Sequence, residues 1–182
     1  MSALQYGVVV LPKLDSEEEI QRIREEYDPW YYQISPYIPM VEPFTPATLG
    51  EMENVSDYIS LARRGFHPFA VSFRACIEAD DRLLLPLEGG REELIVLRRN
   101  LVGPGTAEAM AGAEYEPRLV IGRVPDPLRR SEALAVVARI GRILGVVDSV
   151  SLIEVAPNRE MKLVANFPFG IGRVDYFDRL RA

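Results

Sequence analysis

The chain carries one short pattern twice, and this repetition constrains the fold more than any other feature of the sequence. The copies are Pro36-Tyr37-Ile38-Pro39-Met40 and Pro117-Arg118-Leu119-Val120-Ile121. Each reads proline, a large polar residue, an aliphatic residue, a small apolar residue and another large apolar residue. This frame is typical of a chain that enters a strand. Two such frames indicate two equivalent strands in a duplicated fold.

The elements around the two copies repeat as well. Each copy follows a strand and a helix and precedes a helix and a strand. The predicted segments are strands at 6–12, 37–44, 69–77, 82–88, 118–124, 148–155 and 161–167, helices at 16–28, 48–64, 92–102 and 131–144, and a loop at 103–112. We therefore expect one bilobal α+β domain over 1–182. It has a pseudo-twofold duplicated fold of two antiparallel sheets flanked by helices around a central cleft, with lobe-forming repeats at about 6–78 and 82–167 and a tail at about 170–182.

Composition excludes several classes of protein. Of 182 residues, 48% are hydrophobic and 26% are charged, as in an ordinary globular protein. The net charge of -6 argues against DNA binding, which usually needs a broad basic face. Cys76 is the single cysteine, so we expect no intrachain disulfide and a reducing cytoplasm. The sequence has neither a signal-peptide pattern nor a run of roughly 18 apolar residues, so we expect no export and no membrane partner.

Other strings around the two copies have the order and spacing of a known family. They are Tyr27-Asp28-Pro29-Trp30, Glu42-Pro43-Phe44, Pro68-Phe69, Leu85-Pro86-Leu87 and Tyr115-x-Pro117-x-Leu119-x-Ile121-Gly122-Arg123. With them, residues 6–167 resemble the 2′,5′-RNA-ligase-like branch of the two-histidine phosphoesterases. The resemblance implies a bilobal protein whose two motif strands face each other across a central cleft. In members with intact motifs it implies hydrolysis of a 2′,3′-cyclic phosphate or a related phosphodiester.

The residues that carry this chemistry in the family are replaced here. The resemblance places His and Thr in each copy, at the positions of Tyr37 and Pro39 and of Arg118 and Val120. An acid or base must change protonation state near neutral pH, whereas tyrosine has a reference pKa of about 10 and arginine does not titrate. Pro39 and Val120 carry no hydroxyl. We therefore expect no catalytic residue at these degenerate positions.

The two other candidates for a substitute catalyst, His67 and Cys76, have a simpler interpretation. His67 is the single histidine and precedes Pro68, which favours a turn or surface position. Cys76 would need a neighbouring base to act as a nucleophile and is expected to be a small buried residue. The acids at 17–19 fit the solvated start of a helix. The spacing of Cys and His does not suggest zinc, so we expect no metal and no other cofactor.

Binding demands less of these positions than catalysis does. Strand alternation sends Ile38, Met40, Leu119 and Ile121 toward the helices and leaves Tyr37, Pro39, Arg118 and Val120 on the cleft. Arg118 would then be a fixed positive charge where the family binds phosphate, Arg74 is a candidate to join it, and Tyr37 could stack on a base or donate a hydrogen bond. In the opposite interpretation, Arg118 pairs with Glu42, Glu78 or another carboxylate. Arg123 is expected to support structure at the strand end.

Three functions follow from these patterns. The first is a non-catalytic family member that binds a phosphate-containing ligand, such as a nucleotide or an RNA end, or a protein, through the cleft. The second is a phosphodiesterase that uses a different set of residues on the same scaffold. The third is a protein-interaction module whose cleft is vestigial. The sequence leaves the ligand, the oligomeric state and the pathway open.

Overall fold

The computed structural model describes residues 4–46, 49–102 and 115–177. These residues form four helices: α1 (Glu17–Tyr27), α2 (Leu49–Ala62), α3 (Arg91–Leu101) and α4 (Pro127–Val137). Their strands are β1 (Gln5–Val10), β2 (Lys13–Leu14), β3 (Ile38–Phe44), β4 (Phe69–Phe73), β5 (Ile77–Ala79), β6 (Arg82–Gly89), β7 (Arg118–Arg123), β8 (Ile143–Val147), β9 (Ser149–Val155), β10 (Met161–Pro168) and β11 (Asp175–Tyr176). The expected loop at 103–112, the expected helix start at 48 and the end of the expected tail lie outside the described residues.

The strands pair into two antiparallel sheets within the described part of the chain. One sheet has the order β11-β10-β9-β1-β3. The other has the order β2-β8-β4-β6, and β6 also pairs with β5 and with β7. The predicted α+β class with two antiparallel sheets and helices is confirmed.

Each sheet takes strands from both repeats. β1 and β3 of the first repeat pair with each other, and β9 of the second repeat joins them along β1. In the same way, β6 and β7 of the second repeat pair, and β4 of the first repeat joins them along β6. A sheet therefore combines both repeats, whereas the sequence pattern predicts one lobe for each repeat.

The last helix begins earlier than the sequence predicts. Its predicted range is 131–144, but α4 starts at Pro127 because the Asp126 carboxylate accepts a hydrogen bond from the backbone N–H of Arg129 at 2.9 Å. An acidic cap followed by proline is a favourable helix start. The helix ends at Val137, and residues 143–147 instead form β8, whose side chains are alternately buried and exposed. The helix prediction is therefore wrong over the second half of its range.

The strand predicted at 69–77 is interrupted. β4 ends at Phe73, and pairing resumes in β5 at Ile77. β4 lies between β8 and β6, so it is not a direct neighbour of either motif strand, β3 or β7. This interruption matters for Arg74, which follows β4 and belongs to neither strand.

One cluster of buried side chains forms the core between the helices and the inner faces of the sheets. The helices contribute Ile20, Ile59, Leu94, Leu97 and Val137, and the strands contribute Ile38, Met40, Phe73, Leu119 and Ile121. The core-facing residues of the two motif strands alternate in sequence with Tyr37, Pro39, Arg118 and Val120. The core thus fixes which face of each motif strand remains for a site.

Candidate functional site

The two motif strands contact each other at Tyr37 and Val120. The backbone N–H of Tyr37 donates to the carbonyl of Val120 at 3.1 Å, and the N–H of Val120 donates to the carbonyl of Tyr37 at 2.7 Å. This pair joins the edge of one sheet to the edge of the other. Continuing the same antiparallel register would set Pro39 opposite Arg118. Tyr37 and Val120, one degenerate position from each copy, therefore meet at the junction of the two sheets.

The predicted alternation holds for the core-facing residues of both strands. Ile38 and Met40 of β3 and Leu119 and Ile121 of β7 are buried in the core. Tyr37 and Pro39 of the first copy line a cavity on the other face of β3. Arg118 and Val120 of the second copy are not among the residues that line this cavity.

The cavity has a volume of about 480 Å³ and two chemically different sides. Its apolar wall comes from β1, β3, β9 and β10 and comprises Gly7, Val9, Pro39, Val41, Pro43, Ile153, Val155 and Met161. Its charged rim comprises Glu42, Asp80, Asp81, Arg82, Arg123 and Arg159. Tyr37 also lines the cavity and adds an aromatic ring to it. Such a combination suits a ligand with an apolar body and an anionic group.

A bulge in the pairing of β6 with β7 turns Arg123 toward the cavity. The register shifts by one residue at Ile121, so the alternation beyond it is reversed. Arg123 consequently lies opposite Arg82 and lines the cavity with it. Uninterrupted alternation from Val120 would have sent Arg123 toward the core. The sequence predicts a supporting role for Arg123 at the strand end, and in the structure this residue also lines the cavity.

Two neighbours hold the guanidinium of Arg123 in place. Its guanidinium pairs with the Asp81 carboxylate at 3.1 Å and lies 5.3 Å from the ring centre of Trp30. The side chain is 15% exposed, and its Nε has no hydrogen-bond partner among the described residues. An arginine fixed in this way presents a pre-oriented positive charge. It is the least exposed of the three arginines on the rim.

Two tight turns supply Asp80, Asp81 and Arg159 of the rim. Asp80 lies in the turn between β5 and β6, and Arg159 lies in the turn between β9 and β10. They are the two non-glycine residues of the described chain that have positive φ, at 55° and 67°. Such conformations are uncommon outside glycine and cluster at functional sites. Arg82 pairs with Asp80 at 3.7 Å, and Arg159 approaches Asp81 to 3.9 Å.

Tyr37 keeps its proton in this environment. Burial raises the pKa of its phenol above the ordinary value of 10.0, and the nearby positive charges of Arg123 and Arg82 only partly oppose this effect. A phenol that stays protonated can donate a hydrogen bond to a ligand but cannot act as a general base near neutral pH.

A buried ion pair lies beneath the floor of the cavity. Arg24 and Asp28 approach to 3.7 Å, and both side chains are almost completely buried. Loss of solvent raises the pKa of Asp28 and lowers that of Arg24. Both residues line a small void of about 20 Å³ together with Tyr37 and Arg123. Asp28 also accepts the backbone N–H of Trp30 at 2.9 Å, which fixes the turn that places the indole beside Arg123.

The two arginines singled out in the sequence are paired elsewhere. Arg118 pairs with Glu116 at 2.9 Å, so the carboxylate interpretation holds, although the partner is neither Glu42 nor Glu78. Arg74 is 71% exposed and approaches Glu88 to 3.7 Å. Neither lines the cavity. Their roles in ligand binding stay predictions, whereas Arg82, Arg123 and Arg159 are the arginines that the fold brings to the cavity.

Neither Cys76 nor His67 lines the cavity. Burial raises the pKa of the Cys76 thiol to about 12, so it is not a thiolate at neutral pH. His67 is exposed. Among the described residues, no group of three or more His, Cys, Asp or Glu side chains is placed to hold a metal ion. No helix in the described part of the chain is long and apolar enough to cross a membrane.

Comparison with solved structures identifies the fold. TT0787 of Thermus thermophilus matches with a TM-score of 0.61 at 13% identity, over 93% of this chain and 99% of that one. E. coli LigT, solved with phosphate bound, matches with a TM-score of 0.57 at 12% identity, over 93% and 99%. Usb1 of Kluyveromyces marxianus matches with a TM-score of 0.55 at 9% identity, over 91% and 98%. No family model matches the sequence, and a comparison with curated proteins gives no match. The chain thus has the LigT-like fold that its resemblance to the two-histidine phosphoesterases predicts.

Proposed function

We propose that this protein is a non-catalytic two-histidine phosphoesterase that binds a phosphate-containing ligand, a nucleotide or an RNA end, in the cavity beside its motif strands. The proposal is carried by a cavity of about 480 Å³ that combines an apolar wall with three arginines at its rim. This volume is typical of small-molecule sites. LigT, which has the same fold, has been solved with phosphate and with 3′-AMP.

The arginines suit a phosphate better than they suit catalysis. A guanidinium donates two parallel N–H groups to phosphate oxygens and stays charged at every physiological pH. Arg82, Arg123 and Arg159 can act in this way at the rim, while the protonated Tyr37 phenol adds a neutral donor. The apolar wall offers a surface for a base or ribose. This division assigns recognition to the rim and packing to the wall.

The absence of a proton-transfer pair at the motif positions supports the non-catalytic part of the proposal. Tyr37 and Arg118 stand at the positions that the family resemblance gives to histidine, and neither exchanges a proton near neutral pH. Pro39 and Val120 stand at the threonine positions and have no hydroxyl to hold a phosphate. The carboxylates nearest the arginines are paired with them, which lowers their basicity.

Titration with 3′-AMP tests the binding proposal. Calorimetry on the wild type should show saturable binding that weakens as salt is added, because the recognition is electrostatic. Arg123→Ala should weaken binding at least tenfold, and Arg159→Ala should weaken it to a smaller extent because Arg159 is more exposed. Arg22→Ala removes an exposed arginine of α1 that does not line the cavity and serves as the matched control.

The other two functions are distinguished when the titration is repeated with 2′,3′-cyclic AMP. Release of product from a cyclic phosphate substrate would favour an enzyme that uses a different set of residues. A flat titration with a folded protein would favour the interaction module. We also propose a cytoplasmic location, because the chain has a single cysteine and therefore no intrachain disulfide.

A further inference from the structure

The Asp81 carboxylate links the two sheets at the rim of the cavity. It lies in the turn between β5 and β6, pairs with Arg123 at 3.1 Å and approaches Arg159 to 3.9 Å. Arg123 ends β7, and Arg159 lies in the turn between β9 and β10 of the other sheet. The backbone carbonyl of Asp81 accepts the N–H of Val124 at 2.6 Å, so the turn itself is anchored. Asp81 is therefore held in contact with the arginines that face the cavity.

A carboxylate and a phosphate compete for the same guanidinium donors. Both accept two parallel N–H groups from one arginine. Asp81 occupies donors of Arg123 and lies within ion-pair distance of Arg159, which are two of the three arginines on the rim. The remaining rim arginine, Arg82, approaches the exposed carboxylate of Asp80 to 3.7 Å. A ligand anion must therefore displace Asp81 or share its arginines with it.

The charges of the cavity cancel while Asp81 is in place. Among the described residues, the ionised side chains in the lining are Glu42, Asp80, Asp81, Arg82, Arg123 and Arg159. Three negative and three positive groups leave the lining without a net positive charge. The second charge of a phosphate monoester then gains little attraction from the arginines and is repelled by Asp81.

We propose that Asp81 is an internal competitor for the ligand anion and makes the cavity discriminate against doubly charged phosphates. This inference rests on the proposed function, and it names the charge class that the same site accepts. A phosphodiester with one negative charge binds without expelling Asp81, whereas a monoester with two charges is penalised by it. Asp81 is then a specificity-determining residue rather than a residue that attracts the ligand.

Two probes of nearly the same size and different charge test this proposal. They are 3′,5′-cyclic AMP, which carries one negative charge, and 5′-AMP, whose phosphate carries close to two at pH 7.5. Asp81→Asn keeps the shape of the side chain and removes its charge. The matched control is Glu78→Gln in the same hairpin, since Glu78 pairs with Arg130 and does not line the cavity. Calorimetry on the wild type and both variants gives six dissociation constants.

We expect Asp81→Asn to gain affinity for both probes, and to gain more for the probe with the higher charge. Asp81→Asn should bind cyclic AMP about fivefold more tightly and 5′-AMP about 25-fold more tightly, because each ligand charge loses one repulsive interaction at close range. Glu78→Gln should change both constants less than twofold. The wild-type protein should bind 5′-AMP no more tightly than cyclic AMP despite the extra charge. This comparison needs no variant, so it tests the proposal even if Asp81→Asn does not fold.

Two results overturn the inference and leave the proposed function intact. One is equal or weaker binding of both probes by folded Asp81→Asn, which would mean that Asp81 orients Arg123 for the ligand. The other is wild-type binding of 5′-AMP many-fold tighter than that of cyclic AMP. Absence of binding of either probe by wild type and variant alike would instead overturn the proposed function, and the inference with it.

Discussion

Arg98 stacks on Tyr115, with its guanidinium carbon 4.2 Å from the centre of the ring. The Arg98 Nε–H donates to the carbonyl of Met40 at 3.0 Å, and the Tyr115 hydroxyl donates to the carbonyl of Pro39 at 2.9 Å. Helix α3 and the segment before β7 therefore both bind the backbone of β3. This contact holds the first motif strand beside the second, and the cavity depends on that placement.

Tyr115→Phe should destabilise the fold by about 1 kcal/mol, because the Pro39 carbonyl loses its donor while the ring is retained. For a domain of this size the melting temperature should fall by about 3 °C. Tyr32→Phe removes the hydroxyl of an exposed tyrosine and should leave the melting temperature unchanged. An equal effect of both variants would show that the contact with β3 contributes nothing to stability.

Gly122→Ala should destabilise the protein by about 1 kcal/mol. A Cβ at this position would lie 3.3 Å from Oδ2 of Asp28, and that carboxylate is buried against Arg24 and has little room to move. Urea denaturation measures the loss. The control is Gly65→Ala, where a Cβ meets no atom within 4 Å and the change should be neutral or slightly stabilising.

Cys76 should resist alkylation in the native protein. Burial raises its pKa from 9.0 to about 12, so at pH 8 the native thiol contains far less of the reactive thiolate than the unfolded chain does. Iodoacetamide should therefore react on the order of a hundredfold more slowly with native protein than with protein in denaturant. Equal rates before and after unfolding would contradict this description of the Cys76 environment.

Tyr37→Phe should weaken 3′-AMP binding by about three- to tenfold, the usual effect of losing one hydrogen bond. Because burial raises the pKa of the phenol above 10.0, the hydroxyl stays protonated up to about pH 9. Its contribution should thus be constant between about pH 6 and pH 9. If Tyr37 acted as a base instead, the difference in 3′-AMP affinity between wild type and Tyr37→Phe would shrink as the pH falls. Calorimetry at several pH values measures this difference.

Much of the fold is predictable because its elements follow local patterns. The repeated Pro-x-apolar-x-apolar frame identifies both motif strands, and the acidic start at Glu17 places α1 within a residue. β8 is missed because its short apolar run continues the apolar run of α4, and a periodic pattern alone does not separate the two. Its alternation becomes clear once α4 is known to begin after the Asp126 cap and to end at Val137.

The site is less predictable than the fold, for two physical reasons. Arg123 faces the cavity only because of the bulge at Ile121, and a bulge depends on the partner strand rather than on local sequence. Asp81 and Arg159 meet through two turns that are distant in the chain, so their proximity is a property of the tertiary fold. The charged Asp80-Asp81-Arg82 turn between two strand patterns is the one local signal of the rim.

Phosphorus NMR with 2′,3′-cyclic AMP tests the central claim most directly, because one spectrum reports both binding and turnover. We expect the phosphate resonance to shift or broaden as wild-type protein is added, to do so much less with Arg123→Ala, and to yield no product resonance over hours. Appearance of a monoester resonance that depends on the folded protein would contradict the non-catalytic assignment. A resonance that does not change at all would contradict phosphate binding in the cavity.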